Sequence, residues 1–502
     1  MIFGLGSEPG STNLLTRALA AVDERVESVP DPVQIHYHLP DPRLDHLRVH
    51  RDYAQWLEEL TQRFPHECRG IRGFYDECWA VFRALNALEL LSLEEPRYLL
   101  RVFLQNPLAC FTLLRYLGVN VGDVARRWIR DEALLRFIDI DCYVWSVAAA
   151  DRTPMINGGM VFSDRHYGGI NYPVGGVGTL AERLANALRD QERFPGCWVE
   201  YGARAVRVNV DGQRRATGVT LADGRQIRAR AVISNATRWD TFGLAGADES
   251  VPRALVDAAE VPPTERLWRQ WYTESPSFLS LHLGVRADAL DAGHAHLRDC
   301  HHIVLEEWAH MESATDAAGT IFVSIPTVLD ASVAPPGRHI FHVFTPSWMS
   351  EWRGLGHSEY RARKQQLADR LIERLERRVF PGLRRGIEVF EVGTPRTHRR
   401  FLGRKDGTYG PIAARRLHGL LTMPFNRTGL PGLYCVGDST FPGQGLNAVA
   451  FSGFAAAHRV AVDLGLEPRL PLGLDAWLSE WISRRRLEWL GRGMQSTEDG
   501  TR

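Results

Sequence analysis

No stretch of the 502-residue chain runs to 18 or more apolar residues, which excludes a helix that would span a bilayer on its own. Charge of one sign is not in surplus either. Lysine plus arginine number 60 against 60 aspartates and glutamates, so there is no basic field to hold a phosphate backbone, and nucleic acid is not an expected partner. The seven cysteines (Cys68, Cys78, Cys110, Cys142, Cys197, Cys300, Cys435) are odd in number and contain no Cys-x-x-Cys pair, which fits a reducing compartment. The first residues lack a charged region followed by an apolar one, and lack an Arg/Ser-rich leader, so no targeting segment is visible.

A dinucleotide loop is also missing where it is first looked for. "MIFGLGSEPG" has glycines at 4, 6 and 10, the wrong spacing, with Pro9 inside the turn and only three residues ahead of the first glycine. No acidic residue closes a second apolar strand about 20 residues on, as the fingerprint requires. The segment reads as a plain turn before a helix at 12–21.

At this length two or three sub-domains sharing an interface are expected. "VQIHYHLPD" and "LRVHRD" read as short strands, followed by a helix capped by Asp52 with Gln55 placed to complete a capping box. Residues 67–129 carry a helical pattern. Within them "RYLLRVFLQNPLACFTLLRYLG" is broken at Asn106-Pro107, and two readings stand: a pair of core helices, or a pair that dips into a membrane. "ARAVRVNVDGQRRATGVTLADGRQIRARAVISNA" is a three-stranded meander with turns at Asp211-Gly212 and Asp223-Gly224 that returns to a parallel sheet. Recurring short strands over 277–346 predict a second, mostly antiparallel sheet. A charged surface helix is expected at 358–378.

The segment richest in chemistry is "GLYCVGDSTFPGQGLNAVAFSGFAAAHRVAVDL", residues 432–464. Leu433 to Val436 suit a buried parallel strand ending in Gly437-Asp438. Gly443 and Gly445 then turn the chain into an Ala-rich helix starting near Leu446, with its first amides free to face a ligand. A strand, a carboxylate at its end and a helix N-terminus can hold a flavin, the acid accepting from a hydroxyl and the helix end stabilising charge on the reduced ring. An ordinary strand-helix unit with a glycine turn is the competing reading.

Residues 432–464 resemble the C-terminal flavin motif of the phytoene-desaturase-like flavoproteins and, more narrowly, the carotenoid isomerases. "TNLLTRALAAV", "TPMIN", "DRHYGGINYPVGGVG", "ISNATRWDTFG", "EVGTPRTHRR" and "GTYGP" carry the same resemblance to about residue 466. It implies an α/β fold: a Rossmann-like FAD-binding domain, incomplete at its N-terminus, with an antiparallel-sheet substrate domain and a helical, membrane-facing subdomain. "MIFGLG" matches a place inside the family pattern, after the βαβ unit that carries the FAD phosphate loop, so the cofactor sheet is expected to show an open lane beside Leu433 to Val436. The implied division is 1–65 (partial cofactor domain and start of the substrate sheet), 66–165 (helical), 166–245 (loop, helix and meander of the FAD domain), 246–405 (substrate domain), 406–466 (C-terminal strand and helix of the FAD domain) and 467–502 (amphipathic extension).

The resemblance further implies contacts from Gly437, Asp438, Gly443, Gly445, Leu446 and Asn447 to the flavin, with Ala205 near the adenine and the Tyr172 to Gly176 loop at the flavin or the substrate entrance. Its implied activity is cis-trans isomerisation of a poly-cis C40 carotenoid with reduced FAD, on a plastid or photosynthetic bacterial membrane. A net desaturase, a retinol-type saturase and a non-catalytic remnant are the alternatives. No catalytic residue is assigned; Glu391, Arg396, His398 and Tyr409 are polar candidates. Peripheral docking through residues 97–118 and 474–490 is expected. No metal is expected: the histidines of "GHAHLRDCHH" lack metal-ligand spacing and a second pair nearby, and His36 and His38 read as lining a pocket or surface.

Overall fold

The computed structural model describes residues 2–8, 10–243, 254–271, 274–290, 294–412 and 423–467; the expected docking segment 474–490 lies outside the described residues. The chain opens on a turn, as its glycines predict. Ile2 and Leu5 bury themselves against Leu180 and against Leu15 and Leu19 of α1 (Leu14–Ala20). β1 (Ser28–Pro30) is followed by β2 (Val33–His38) and β3 (Leu47–His50), which pair antiparallel. α2 (Tyr53–Arg63) starts at Asp52, whose carboxylate accepts from the Gln55 amide at 2.8 Å, so the cap forms through the aspartate side of the expected box.

Six helices then make one block: α3 (Cys68–Asn86), α4 (Pro96–Gln105), α5 (Pro107–Tyr116), α6 (Val121–Trp128), α7 (Glu132–Ser146) and α8 (Met155–Tyr167). Asn106 and Pro107 part α4 from α5, because a proline at the first helical position gives up an amide that has no helical partner anyway. α8 lies close on α3 at Gly159, where a Cβ would stand 2.6 Å from Val81 Cβ. Inside the block Arg165 is buried with Asp141. Its Nη1 donates to both carboxylate oxygens (3.0 and 2.8 Å) and its Nη2 to the Tyr75 hydroxyl (3.2 Å), while Tyr37 Oη donates to Asp141 (2.7 Å).

β4 (Asn171–Pro173) pairs with β1, and α9 (Gly178–Arg189) leads to the meander β5 (Ala205–Val210), β6 (Ala216–Leu221) and β7 (Gln226–Arg228). β8 (Val232–Ser234) follows, then α10 (Arg238–Phe242) and α11 (Pro263–Trp271). The rest of the chain holds β9 (Ser277–Arg286), β10 (His301–Val304), β11 (Ile321–Ser324), β12 (Arg338–Ser347), α12 (His357–Arg378), α13 (Leu383–Gly386), β13 (Ile387–Gly393), α14 (Pro395–Leu402), β14 (Leu433–Cys435) and α15 (Leu446–Asp463).

A seven-stranded sheet runs β13-β9-β12-β11-β10-β2-β3, antiparallel throughout except where β10 meets β2. Alternate residues of β9 and β12 (Leu281, Leu283, Phe341, Val343) face Leu367, Leu371 and Leu375 of α12, whose other side carries its charges to solvent. The meander returns as predicted, β8 pairing parallel with β14. The other edge of β14 is not open: Asn426 O accepts the Cys435 amide at 2.8 Å and Arg427 bridges to Tyr434. Exposed apolar surface appears on β8 instead, where Ile233 is 49% accessible.

Replacing one partner of the Arg165–Asp141 pair strands a charge in the core, which costs about 3–5 kcal/mol. Arg165→Met should lower unfolding stability in urea by that amount, and adding Asp141→Leu should restore most of it. Equal stability of wild type and the single variant would show that the pair is dispensable.

Candidate functional site

The end of β14 and the start of α15 form a corner built on glycines. β14 is wholly buried, with Cys435 at its end. Gly437 takes φ +92°, and a Cβ there would stand 2.5 Å from Asn235 Oδ1, so the chain passes tightly under the end of β8. Asp438 comes next. Gly445 caps α15 with φ +99°, nothing lies within 4 Å of where its Cβ would be, and no side chain caps the helix. Among the described residues the amides of Leu446, Asn447 and Ala448 meet no backbone acceptor, and Gly445 and Leu446 are exposed. Among the described residues this leaves an open helix N-terminus that follows Asp438 in the chain.

Two other segments close on this corner. Gly4 presses on Asn447, where a Cβ would come within 2.0 Å of Asn447 Oδ1, and Asn447 Nδ2 donates to Thr12 O at 3.0 Å. The opening glycines therefore border the helix start without forming a phosphate loop. From the far side Arg404, just after α14, pairs with Asp438 through Nη2. Burial raises the Asp438 carboxyl above the ordinary carboxylate range, and the Arg404 guanidinium opposes that rise. Arg404 also lies over the Tyr409 ring at 5.7 Å, and among the described residues neither its buried Nε nor Asn447 Oδ1 has a hydrogen-bond partner.

The remaining polar candidates separate. Glu391 is exposed on β13 opposite His282, and Arg396 donates to Leu355 O and covers the Tyr360 ring, which is a packing role. His398 and Tyr409 stay near the corner, the two rings 6.3 Å apart, with His398 Nε2 3.5 Å from Ser280 Oγ. Burial holds the His398 imidazole below its ordinary range and pushes the Tyr409 phenol up. Behind them His282 and His342 stack at 4.6 Å, and burial lowers His342 to about 4. The sequence reading missed Arg404 and this histidine pair: a cation 34 residues before its carboxylate and two histidines aligned only by strand register leave no local spacing signal. Ala205 is exposed at the start of β5, away from the corner in the chain, and the 172–176 loop is held by the Gly175 amide donating to Asp330 at 2.8 Å, with Val174 and Val177 exposed.

Residues 151–461 match the family described as flavin containing amine oxidoreductase. Over 485 residues the chain is 50% identical to the chloroplastic prolycopene isomerase of Arabidopsis thaliana, covering 95% of this chain and 77% of that one. It belongs to the prolycopene isomerase family of flavoproteins. A carrot relative (Daucus carota) of the same name is 51% identical over 479 residues, 95% of this chain and 74% of its own. An oxidoreductase from Methanosarcina mazei shares the fold at a TM-score of 0.52 and 18% identity, across 90% of this chain and 86% of that structure.

The family's cofactor is FAD, and the corner of this family member fits a flavin: three amides with no backbone acceptor, space at Gly445, a carboxylate acceptor, and the partnerless donor Arg404 Nε. Asp438, Gly445, Leu446 and Asn447 are the residues that would hold the ring and ribityl end. A hydroxyl-to-carboxylate bond contributes about 1.5–3 kcal/mol, roughly 10–150-fold in affinity, so Asp438→Ala should lose FAD on dilution by that factor. Arg404→Gln removes the charge that restrains the raised Asp438 carboxyl. As pH falls, FAD retention should therefore fail at a higher pH in this variant than in wild type. Unchanged FAD content in both variants, read by flavin absorbance after desalting, would remove Asp438 from the site.

Proposed function

We propose that this flavoprotein converts a poly-cis C40 carotenoid to its all-trans isomer, working from a plastid or photosynthetic bacterial membrane surface. What carries the reading is the identity of about half of all positions to prolycopene isomerases across 95% of the chain. Rotation about a C=C bond is blocked until its π order falls, and a bound reduced flavin supplies the electron density that lowers it. The protein's own part is to hold and orient. The α15 amides and Asp438 fix the flavin end, and Arg404 opposes the neutralisation that burial favours at Asp438. Phe278 and Tyr409, with ring centroids 4.8 Å apart, and Phe344 against Phe278 at 4.9 Å offer an aromatic wall beside the corner suited to a polyene. His398, whose imidazole burial holds below its ordinary range, is a titratable group beside Tyr409 that can take or return a proton.

A C40 hydrocarbon partitions into bilayer, at about 0.8 kcal/mol for each buried CH2-sized unit, so the enzyme has to go to the lipid. α4 and α5 supply the contact. Leu104 is 69% and Leu108 81% exposed, and Leu100, Phe111 and Leu114 are exposed beside them. Folded monomers seldom leave such a patch bare. Arg97, Arg101 and Arg115 stand exposed at its margins, suited to lipid headgroups. This favours the membrane-dipping reading of the two helices over core packing.

The test combines product and location. Poly-cis substrate in liposomes, given to the flavin-reduced protein, should yield isomers of unchanged mass. Leu104→Asp with Leu108→Asp, both on exposed positions, should abolish flotation with the liposomes and cut conversion at least tenfold while FAD content stays the same. A product lighter by two hydrogens would make the enzyme a desaturase, and undiminished flotation would place the docking surface elsewhere.

A further inference from the structure

The seven-stranded sheet holds a second cluster, away from the flavin corner, at its β10-β2-β3 end. His36 and His38 sit two residues apart on β2, so both project from one face, and both are fully buried. His302 on β10 is aligned with His36 by the parallel register and is buried too. His46, in the turn between β2 and β3, and His296, from the segment ahead of β10, close over them. The His46 ring lies 5.8 Å from His36, 5.2 Å from His38 and 5.2 Å from His296, on which it stacks. Five imidazoles from β2, the β2-β3 turn, the segment ahead of β10 and β10 itself meet here.

Their hydrogen bonds fix where the protons are. His302 Nε2 donates to Asp299 O at 2.9 Å, so its Nδ1 carries a lone pair and accepts from His38 Nε2 at 3.1 Å. That leaves His38 Nδ1 as a lone pair. Asp299 Oδ2 lies 2.8 Å from His36 Nδ1 as an ion-pair contact, and the other ring nitrogen, His36 Nε2, meets no hydrogen-bond partner among the described residues. His38 Nδ1 and His36 Nε2 are both buried, and neither has a hydrogen-bond partner among the described residues. Buried polar atoms of folded proteins are almost always paired, so two partnerless imidazole nitrogens in one histidine cluster make it a candidate seat for a cation.

We propose that His36, His38 and His46 bind a divalent transition-metal ion of the zinc class, with His296 beside them as a fourth ligand. One nitrogen from each of the first three lies within 4.8 Å of the others, and zinc-imidazole bonds of about 2.0–2.1 Å close that triangle with a small inward shift. An all-nitrogen set selects zinc, cobalt, nickel or copper over magnesium and calcium, which take oxygen. Asp299 is the positioning residue: it orients His36 and is itself held by Arg48 Nε at 2.9 Å. His46, exposed, gives the ion its way in from solvent. The ion would clamp the edge hairpin β2-β3 to the segment that precedes β10. Three of the ligands fall within residues 36–46, and His296 is brought to them only by the fold.

Chelator-stripped, full-length protein should take up one zinc ion per chain in a calorimetric titration, and zinc but not magnesium should raise its thermal midpoint. Cobalt should give a visible difference spectrum of nitrogen-ligated type that zinc displaces. His46→Ala, at an exposed position that leaves the core intact, should weaken binding at least tenfold, and Asp299→Asn roughly 10–100-fold. Absence of stoichiometric binding overturns the proposal. So does binding that is undiminished in both His46→Ala and His36→Gln, or a thiolate-to-cobalt charge-transfer band, which would put the ion at a free cysteine.

Discussion

The ion pair between Asp438 and Arg404 joins the two halves of the molecule on which everything else depends. Asp438 belongs to the β14-α15 corner, and Arg404 follows the helix that leaves the last strand of the large sheet. Neither charge is cheap to bury. Burial alone pushes the Asp438 carboxyl toward neutrality, and a neutral carboxyl would be a weaker acceptor at the flavin end. Lys405, next in the chain, repeats the tie, its amide donating to Asp240 Oδ2 at 3.0 Å and its Nζ to Glu274 at 2.6 Å. The aromatic wall of Phe278 and Tyr409 is thereby held against the corner that would carry the flavin.

Buried arginines do the same work elsewhere. Arg459 of α15 reaches Glu95 at 2.7 Å and Asp463 at 2.9 Å, and Glu95 is also the residue that caps α4, accepting from the Arg97 amide. One carboxylate therefore connects the helix at the flavin corner with the helix whose outer face is bare leucine. Arg238, after β8, is held by Glu265 of α11 and by the carbonyl of Phe425. Each of these charges, once buried, is costly to leave unpaired, so the pairs fix how the surface helices stand relative to the corner.

Much of this was legible in the sequence where the signal is local. Asp-Gly turns set the meander, Asn106-Pro107 divides α4 from α5, and the strand-glycine-helix pattern of 432–464 forms the β14-α15 corner. Long-range closure was not legible. The edge of β14 expected to be open is taken by Asn426, a residue with no strand pattern of its own, and Arg404, His282 and His342 reach their places only through the pairing of distant strands. The five-histidine cluster is of the same kind, since His296 and His302 reach His36 only through the fold. Composition could not tell core helices from a surface patch at 97–116, since the same leucines serve either; only the placement of α4 and α5 at the outside of the helical block separates the two.

An isomerase and a desaturase on this scaffold differ in what happens to the electrons. The most direct measurement is therefore the number of product molecules formed per reduced flavin under strict anaerobiosis, with the flavin spectrum followed throughout. The account predicts many turnovers per flavin with the spectrum staying that of the reduced form. Product formation in fixed proportion to a change in flavin oxidation state would contradict it.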